Sequence, residues 1–388
     1  MSITENKIVV FAVIFMAVYF FAAHPVMMDD GYQYEGFAES LAGGKLDFRS
    51  YYGFQGLSIL SVPVFWLTGS KISIIITSSI LYLLSLPLAY VLGRDFYSNK
   101  KAGILFMLLI ILMPYVYTTM MRGFQEAALL FFILLIIYGS VNKKLWTPVI
   151  WSFGGMIKPF ALVLFTLFAG DFLNKKKFIW PVIGLLMGAA YLGASYYQTG
   201  HLVNNAAINS YEGNFNVGNP PPLIKSFAVG IKGFLRVGAN LILHYRKILL
   251  SPLAIILGGL ALYRSKKLRF RREIIAAVLL NILLVGVLTF SFSKYLLPIA
   301  VLLALASVDY LLKYKWLMPL VIADSLFVFM PMWGYYRGTF WDNVFLYLIP
   351  LWLAIIIYLI YEYGIGKHNN ITDSQRETKS RKTDPGYF

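Results

Sequence analysis

The sequence predicts an all-α integral membrane protein with about twelve transmembrane helices, and three observations support this fold class. Of its 388 residues, 59% are hydrophobic and 13% are charged, whereas a soluble protein has about a quarter charged residues. The mean hydropathy is +0.68. Apolar segments separated by short charged breaks run along the whole chain. This composition excludes a soluble enzyme, a disordered protein and a secreted disulfide scaffold, and the lack of cysteine excludes thiolate chemistry.

Each predicted span is an apolar run bounded by charged or turn-forming residues. In chain order the predicted spans are 8–23, 72–93, 102–118, 123–139, 146–157, 159–172, 178–196, 248–263, 273–292, 295–312, 316–332 and 343–362. The fifth and sixth are short, and they form either two spans or one re-entrant unit. We expect residues 1–362 to form a single polytopic domain and residues 363–388 to form a disordered cytoplasmic tail.

Lys and Arg collect on one side of this topology. With both termini in the cytoplasm, the cytoplasmic connections and tail hold most of the 34 Lys and Arg residues, as the positive-inside rule requires. The net charge of +16 is therefore a topology signal, and we expect membrane lipids and no nucleic acid as partners. The absence of Cys and the abundance of Lys, Ile, Asn and Phe indicate an AT-rich prokaryotic genome, so we expect the protein in a prokaryotic plasma membrane.

Two long segments, 24–71 and 197–247, are external in this topology. The first has apolar positions at helical spacing, including Ala38 and Leu41, which would let a helix lie in the membrane interface. The second is rich in Asn, Gly and Pro and predicts an ordered loop. Because the cytoplasmic connections are short, we expect any chemistry to lie on the external face.

Asp29 and Asp30 follow the first span directly. Two adjacent carboxylates at a membrane exit are costly to desolvate unless they bind a cation or activate a hydroxyl group. A general base needs one carboxylate near the hydroxyl of its substrate, and a neighbouring acid would raise its pKa or hold a divalent ion. A solvated loop start is the alternative interpretation, and the residues alone do not separate the two.

External cations stand at the ends of predicted spans, and they are Arg122, Lys158, Lys294 and Arg337. Each one alone is typical of a side chain that reaches the lipid head groups. Together they would surround an anionic group such as a phosphate. Asp324, near the middle of the eleventh span, is either a functional group or a structurally satisfied acid.

The order of these motifs resembles the GT-C superfamily of polytopic glycosyltransferases, in the branch of the protein O-mannosyltransferases and the lipid A aminoarabinose transferase. The resemblance covers about residues 8–312. The segments that carry it are Asp29-Asp30, Tyr34-x-x-x-Ala38-x-x-Leu41-x-x-Gly44, Leu57 to Gly69, Gly154-Gly155-Met156-Ile157-Lys158-Pro159 and Lys294-Tyr295-Leu296-Leu297-Pro298. The second and third of these segments are similar to the family's two juxtamembrane segments, so the resemblance implies external juxtamembrane helices. The chain departs from the family in three places. It has Asp-Asp instead of Asp-Glu, Lys294 instead of Arg, and Phe54-Gln55-Gly56 where the family has Pro-Pro.

This resemblance implies a sugar donor carried on a polyprenyl phosphate, and transfer to an acceptor hydroxyl on the external face with inversion of configuration. Asp29 would be the general base, and Asp30 would orient it or tune its pKa. Lys158 and Lys294 would neutralise the departing phosphate. The 197–247 loop would cover the site of a lipid, glycan or protein acceptor. No metal is assigned and no cofactor is required, although a divalent metal at Asp29 and Asp30 is compatible with the resemblance.

Two other classes of protein share part of the pattern. A polysaccharide polymerase or ligase also has many spans and one long external loop, but such enzymes typically use Arg and His in that loop. A lipid or solute transporter predicts broken helices with polar groups at mid-membrane depth, which Asp324 and the Gly-interrupted segment 146–172 support. A non-catalytic scaffold leaves the aspartate pair unexplained.

Overall fold

A computed structural model describes most of the chain between residues 3 and 334. The described residues are 3–22, 25, 27, 30–51, 53–69, 72–113, 116, 119–170, 178–200, 250–266, 268–287 and 296–334. Their regular structure is helical throughout, without a β-strand, which confirms the all-α class. The chain divides into two compact units, Met1–Phe329 and Met330–Phe388. The contacts that position the candidate site lie in the first.

Most of the described helices overlap a predicted span. In chain order they are α1 (Ile3–Ala22), α2 (Asp30–Ala42), α3 (Gly56–Thr68), α4 (Ser73–Tyr97), α5 (Lys100–Ile111), α6 (Glu126–Val141), α7 (Thr147–Ile157), a 3₁₀ helix (Pro159–Leu167), α8 (Ile179–Thr199), α9 (Pro252–Arg264), α10 (Arg271–Val287), α11 (Leu297–Lys313) and α12 (Leu317–Gly334). The predicted span 343–362 and the tail lie outside the described residues.

Two of the described helices, α4 and α8, are long and apolar enough to cross a membrane by their length and composition. They coincide with the predicted spans 72–93 and 178–196. Several of the other predicted spans form shorter apolar helices. The third, for example, was expected over 102–118, whereas α5 ends at Ile111.

The predicted span 159–172 is not an α-helix. Pro159 cannot donate a backbone hydrogen bond, and it forces the residue before it out of the helical region. Lys158 accordingly has extended backbone angles (φ −151°, ψ 134°), and a 3₁₀ helix follows over Pro159–Leu167. This helix folds back on α7, because the Trp151 indole donates to the Leu162 carbonyl over 2.9 Å and its ring packs on Phe168.

Glycines allow several helices to approach one another closely. A Cβ added at Gly103 in α5 would lie 2.5 Å from the Tyr90 carbonyl oxygen in α4. In α9, a Cβ added at Gly258 would overlap the Leu303 carbonyl of α11. Small residues at a helix interface are typical of membrane proteins, since they bring two backbones into van der Waals contact.

Segment 24–71, which is external in the predicted topology, contains two helices, α2 and α3, as its two juxtamembrane motifs imply. Helices α2 and α3 pack on each other and on α4. A buried hydrophobic cluster of Phe37, Phe48, Met156 and Tyr191 joins α2 and the loop after it to α7 and α8. Of the second predicted external segment, 197–247, only the residues up to Gly200 are described.

Candidate functional site

The turn between Arg122 and Glu126, which leads into α6, contacts the first residues of α2. A Cβ added at Gly31 would lie 2.5 Å from the Arg122 carbonyl oxygen and 3.3 Å from the Gly123 Cα. Gly123 has a φ of +81°, a left-handed conformation that glycine adopts without strain. Two glycines in direct contact therefore place the backbone of Asp30 beside that of Arg122.

The same turn also holds the start of α3. The Gln125 side-chain amide donates to the Phe54 carbonyl, and Gln125 is buried. The backbone N–H of Gln55 donates to the Tyr191 hydroxyl of α8 over 2.8 Å. A Cβ added at Gly56 would lie 2.7 Å from the Ile157 nitrogen, so α3 begins against the end of α7. Proline at position 55 would have no N–H to donate to the Tyr191 hydroxyl, so this contact requires a residue other than proline there.

The third contact of the turn is an ion pair between Glu126 and Lys158. The Lys158 ammonium lies 2.5 Å from Glu126 Oε1, and the two residues are 8% and 1% exposed. Glu126 opens α6, where the helix dipole favours a negative charge. The sequence predicted Lys158 as a cation for a donor phosphate. The structure pairs it with Glu126, and the sequence did not indicate this pairing.

Asp30 is the first residue of α2 and is half-buried, as is Arg122. We name the region formed by Asp30, Arg122, Glu126 and Lys158 the acid–cation site. A half-buried carboxylate can reach a substrate hydroxyl, and nearby cations can stabilise a phosphate. Three further predicted site residues, Asp29, Lys294 and Arg337, lie outside the described residues.

Glu35 is a buried carboxylate that the sequence analysis missed. Ser73 Oγ donates to one of its oxygens over 2.7 Å, and the Ile74 N–H donates to the other over 2.9 Å. Glu35 therefore accepts from one backbone N–H and one hydroxyl group in the first turn of α4, although it lies in a neighbouring helix. The sequence feature that could have revealed it is its helical spacing from Gly31 and Ala38, which places it on the buried face of α2.

Asp324 of α12 has a structural role in this fold. Its carboxylate accepts hydrogen bonds from Ser251 Oγ and, over 3.1 Å, from the Leu253 N–H. Both donors stand at the start of α9, so the carboxylate is satisfied by a helix N-terminus, where an anion is stabilised. The residue on which the transporter interpretation depended is thus held in a helix-capping contact.

The loop after α2 is fastened to the last turn of α8. The Phe48 N–H donates to Gln198 Oε1 over 2.9 Å, and Arg49 Nε donates to the Gln198 carbonyl over 2.6 Å. Within the loop, the Ser50 hydroxyl donates to Asp47 over 2.6 Å. This bond, together with the N–H groups of Ser50 and Arg49, lowers the pKa of Asp47. Burial raises the pKa of Tyr51, and the charges of Asp47 and Glu39 add to that rise.

Within the described ranges, no group of three or more His, Cys, Asp or Glu residues is arranged to hold a metal ion. The acid–cation site contributes two carboxylates, Asp30 and Glu126, and one of them is bound to Lys158. Chemically, the site offers a half-buried carboxylate at Asp30, a half-buried guanidinium at Arg122 and a buried ammonium at Lys158 that is paired with Glu126.

Neither the protein-family models nor the curated proteins nor the solved structures compared with this chain gave a match.

Proposed function

We propose that the protein is a membrane glycosyltransferase that moves a sugar from a polyprenyl-phosphate donor to an acceptor hydroxyl on the external face of the membrane. The observation that carries this proposal is the Gly31–Gly123 contact. It brings the acidic start of α2 against the turn that bears Arg122 and leads to the Glu126–Lys158 pair. An acid for the acceptor and cations for the donor phosphate would thus share one site.

The proposed reaction is a single in-line displacement. The acceptor oxygen bonds to the anomeric carbon, the bond from that carbon to the phosphate oxygen breaks, and the polyprenyl phosphate leaves. Asp29 takes the acceptor proton as general base, and Asp30 orients the acceptor or tunes the basicity of Asp29. Attack opposite the leaving group inverts the configuration. The acceptor is a lipid, glycan or protein hydroxyl, with the 197–247 loop covering it.

The groups that bind the donor phosphate would be Arg122 and Lys158, with Lys294 and Arg337 as further candidates. Arg122 presents a planar guanidinium that matches phosphate oxygens in pairs. Lys158 is electrically balanced by Glu126. Its role is therefore to present N–H donors to the leaving oxygen more than to supply net charge. No metal or cofactor is part of this proposal.

The proposed setting is the prokaryotic plasma membrane, crossed about twelve times with both termini in the cytoplasm. Helices α4 and α8 are of membrane-spanning length and composition. Helix α1 exposes Phe11, Phe15 and Val18, which share one face at helical spacing. Exposed apolar surface of this kind on a helix is suited to lipid, since in water it would promote association.

The proposal is tested by transfer of radiolabelled sugar from polyprenyl-phosphate donors in membranes that contain wild type, Asp29→Asn or Asp30→Asn. The matched control is Glu39→Gln, which removes an exposed carboxylate from the same helix as Asp30. We expect acceptor-dependent transfer by wild type and the control, and a loss of at least about a hundredfold in Asp29→Asn, as for removal of a general base.

Equal transfer by all four proteins, at equal membrane insertion, would remove the aspartate pair from catalysis. If inserted wild type consumed none of a panel of sugar donors, the glycosyltransferase proposal itself would be wrong.

A further inference from the structure

The connection between α9 and α10 borders an open cavity of about 480 Å³, remote in sequence from the acid–cation site. It is lined by Lys266, Leu268, Phe270, Arg271, Arg272 and Glu273. Three of these six residues are cations and one is an acid, so the lining carries a net positive charge. In the predicted topology this connection faces the cytoplasm.

Two arginines of the connection fix its backbone by binding the ends of other helices. Arg271 donates from Nε to the Leu262 carbonyl over 2.5 Å and from Nη2 to the Tyr263 carbonyl over 3.0 Å, at the end of α9. Arg269 donates to the Val141 carbonyl, the last residue of α6, over 2.5 Å. Cations at helix C-termini are favourable because the last carbonyl groups lack helical partners.

The residue between these two arginines has a strained backbone. Phe270 has a φ of +57°, which is unusual for a bulky side chain. It also lines the cavity, and the guanidinium of Arg269 lies 5.2 Å from its ring centroid. Such a conformation persists only where its surroundings hold it. Here the two helix-end contacts on either side hold the wall of the cavity in place.

Lys266 and Arg272 differ from the two helix-capping arginines. Both are exposed, and in the described part of the chain neither forms an ion pair. They face the same cavity, one before and one after the strained residue. Glu273 follows Arg272 in the first turn of α10, and its charge offsets only part of theirs.

We propose that this cavity binds a phosphate-bearing ligand through Lys266 and Arg272. Guanidinium and ammonium groups are the usual side-chain partners of phosphate oxygens, and the other cation in the wall, Arg271, adds positive field. Two sources share this chemistry at a membrane surface: the head group of an anionic phospholipid, and a soluble phosphate or pyrophosphate. Basic pockets between helices on the cytoplasmic side are typical sites for anionic head groups.

The test uses the full-length protein in nanodiscs. One arm titrates phosphatidylglycerol into phosphatidylcholine nanodiscs and counts bound lipid by native mass spectrometry. The other adds inorganic phosphate or pyrophosphate to phosphatidylcholine nanodiscs and measures the shift in Tm. Wild type is compared with Lys266→Gln/Arg272→Gln. The matched control, Lys144→Gln/Lys315→Gln, removes two exposed cations from other predicted cytoplasmic connections.

We expect the Lys266→Gln/Arg272→Gln variant to lose about thirtyfold in affinity (about 2 kcal/mol) in one arm while the control stays within about twofold of wild type, since a cation at the membrane surface contributes about 1 kcal/mol to binding of an anionic group. The arm that responds identifies the source. A charge-conserving Arg272→Lys variant should retain most of the binding. The cavity is not a phosphate site if the Lys266→Gln/Arg272→Gln variant and the Lys144→Gln/Lys315→Gln control both behave as wild type in both arms. The same conclusion follows if these two variants lose binding equally.

Discussion

Three buried carboxylates, Glu35, Glu126 and Asp324, each bind groups outside their own helix. Glu35 and Asp324 accept from the starts of α4 and α9, and Glu126 is paired with Lys158 at the end of α7. A buried carboxylate without such a partner would cost several kcal/mol. Each of these acids therefore fixes the position of one helix end relative to another.

The Glu126–Lys158 pair makes a prediction about stability. We expect Lys158→Met to lower the stability of the protein by roughly 3–5 kcal/mol, because it leaves Glu126 buried without its cation. The double variant Lys158→Met/Glu126→Gln should recover most of that loss, since neither partner is then charged. Thermal unfolding of the two variants in detergent, measured beside Glu126→Gln, checks both statements.

Transfer activity of the double variant then separates two roles of Lys158. A stable but inactive double variant is expected if Lys158 contacts the donor phosphate. A double variant that is no more stable than Lys158→Met would contradict the ion-pair account. Full activity would confine Lys158 to a structural role.

Asp47 makes a prediction about pH. Its pKa in the folded protein is lowered by the Ser50 hydroxyl, so its ionised form stabilises the 47–50 turn at neutral pH. That contribution is present above the ordinary pKa of Asp and is lost as the pH falls through the lower, folded value. We expect amide exchange of the segment 46–52, corrected for intrinsic rates, to increase below about pH 4.

An Asp47→Asn variant should show faster exchange in this segment at neutral pH and little further change on acidification. A wild-type profile as flat as that of the variant would show that ionisation of Asp47 does not hold the turn.

The sequence contained only part of the information at this scale. The place of Glu35 on the buried face of α2 could have been read from its spacing to Ala38. The pairing of Glu126 with Lys158 could not, because it depends on how the start of α6 packs against the end of α7, which brings together two residues 32 positions apart in sequence. The periodicity of a helix indicates on which face a residue lies, but it does not indicate which residue of another helix that residue contacts.

At the scale of elements, helix contacts depend on glycines that a side chain would disrupt. We expect Gly258→Ala to destabilise the protein by about 1–3 kcal/mol, because the added methyl group overlaps the Leu303 carbonyl of α11. Gly259→Ala is the matched control, since nothing lies within 4 Å of a Cβ there. Alanine favours a helix over glycine, so the control should be neutral or slightly stabilising.

Thermal unfolding of both variants in the same detergent tests this pair. Equal effects at the two positions would mean that α9 and α11 are not in direct backbone contact.

The approximate location of each helix was easier to predict from the sequence than its helix type and its end residues. The apolar runs located most of the other described helices, the spacing of Ala38 and Leu41 indicated α2, and the resemblance of Leu57 to Gly69 to a juxtamembrane segment indicated α3. Segment 159–172 was expected to be a span but contains a 3₁₀ helix. Its hydrophobicity is that of a span, whereas its conformation follows from Pro159 and from packing against Trp151 in α7.

At the scale of the whole molecule, the topology can be tested directly, because the chain contains no cysteine. Single cysteines at exposed positions should react with a membrane-impermeant maleimide according to the side that they face. We expect Ser50→Cys and Lys45→Cys to be labelled in intact cells, and Lys144→Cys and Lys315→Cys only after the membrane is opened.

Labelling of Lys144→Cys and Ser50→Cys from the same side would contradict the predicted topology. Equal labelling of all four positions only after cell lysis would contradict the external placement of α2 and of the acid–cation site.

The hydrogen bonds of Glu35 also bear on how the protein is made. Glu35 binds Ser73 and Ile74, which leave the ribosome 38 and 39 residues after it. Gly123, which contacts Gly31 at the start of α2, is synthesised after Ile74. Lys158 is synthesised later than Gly123. Asp30, the first residue of the acid–cation site to be synthesised, therefore precedes Lys158, the last, by more than a hundred residues. A nascent chain arrested between Glu126 and Lys158 would therefore contain a carboxylate without the cation that neutralises it in the folded protein.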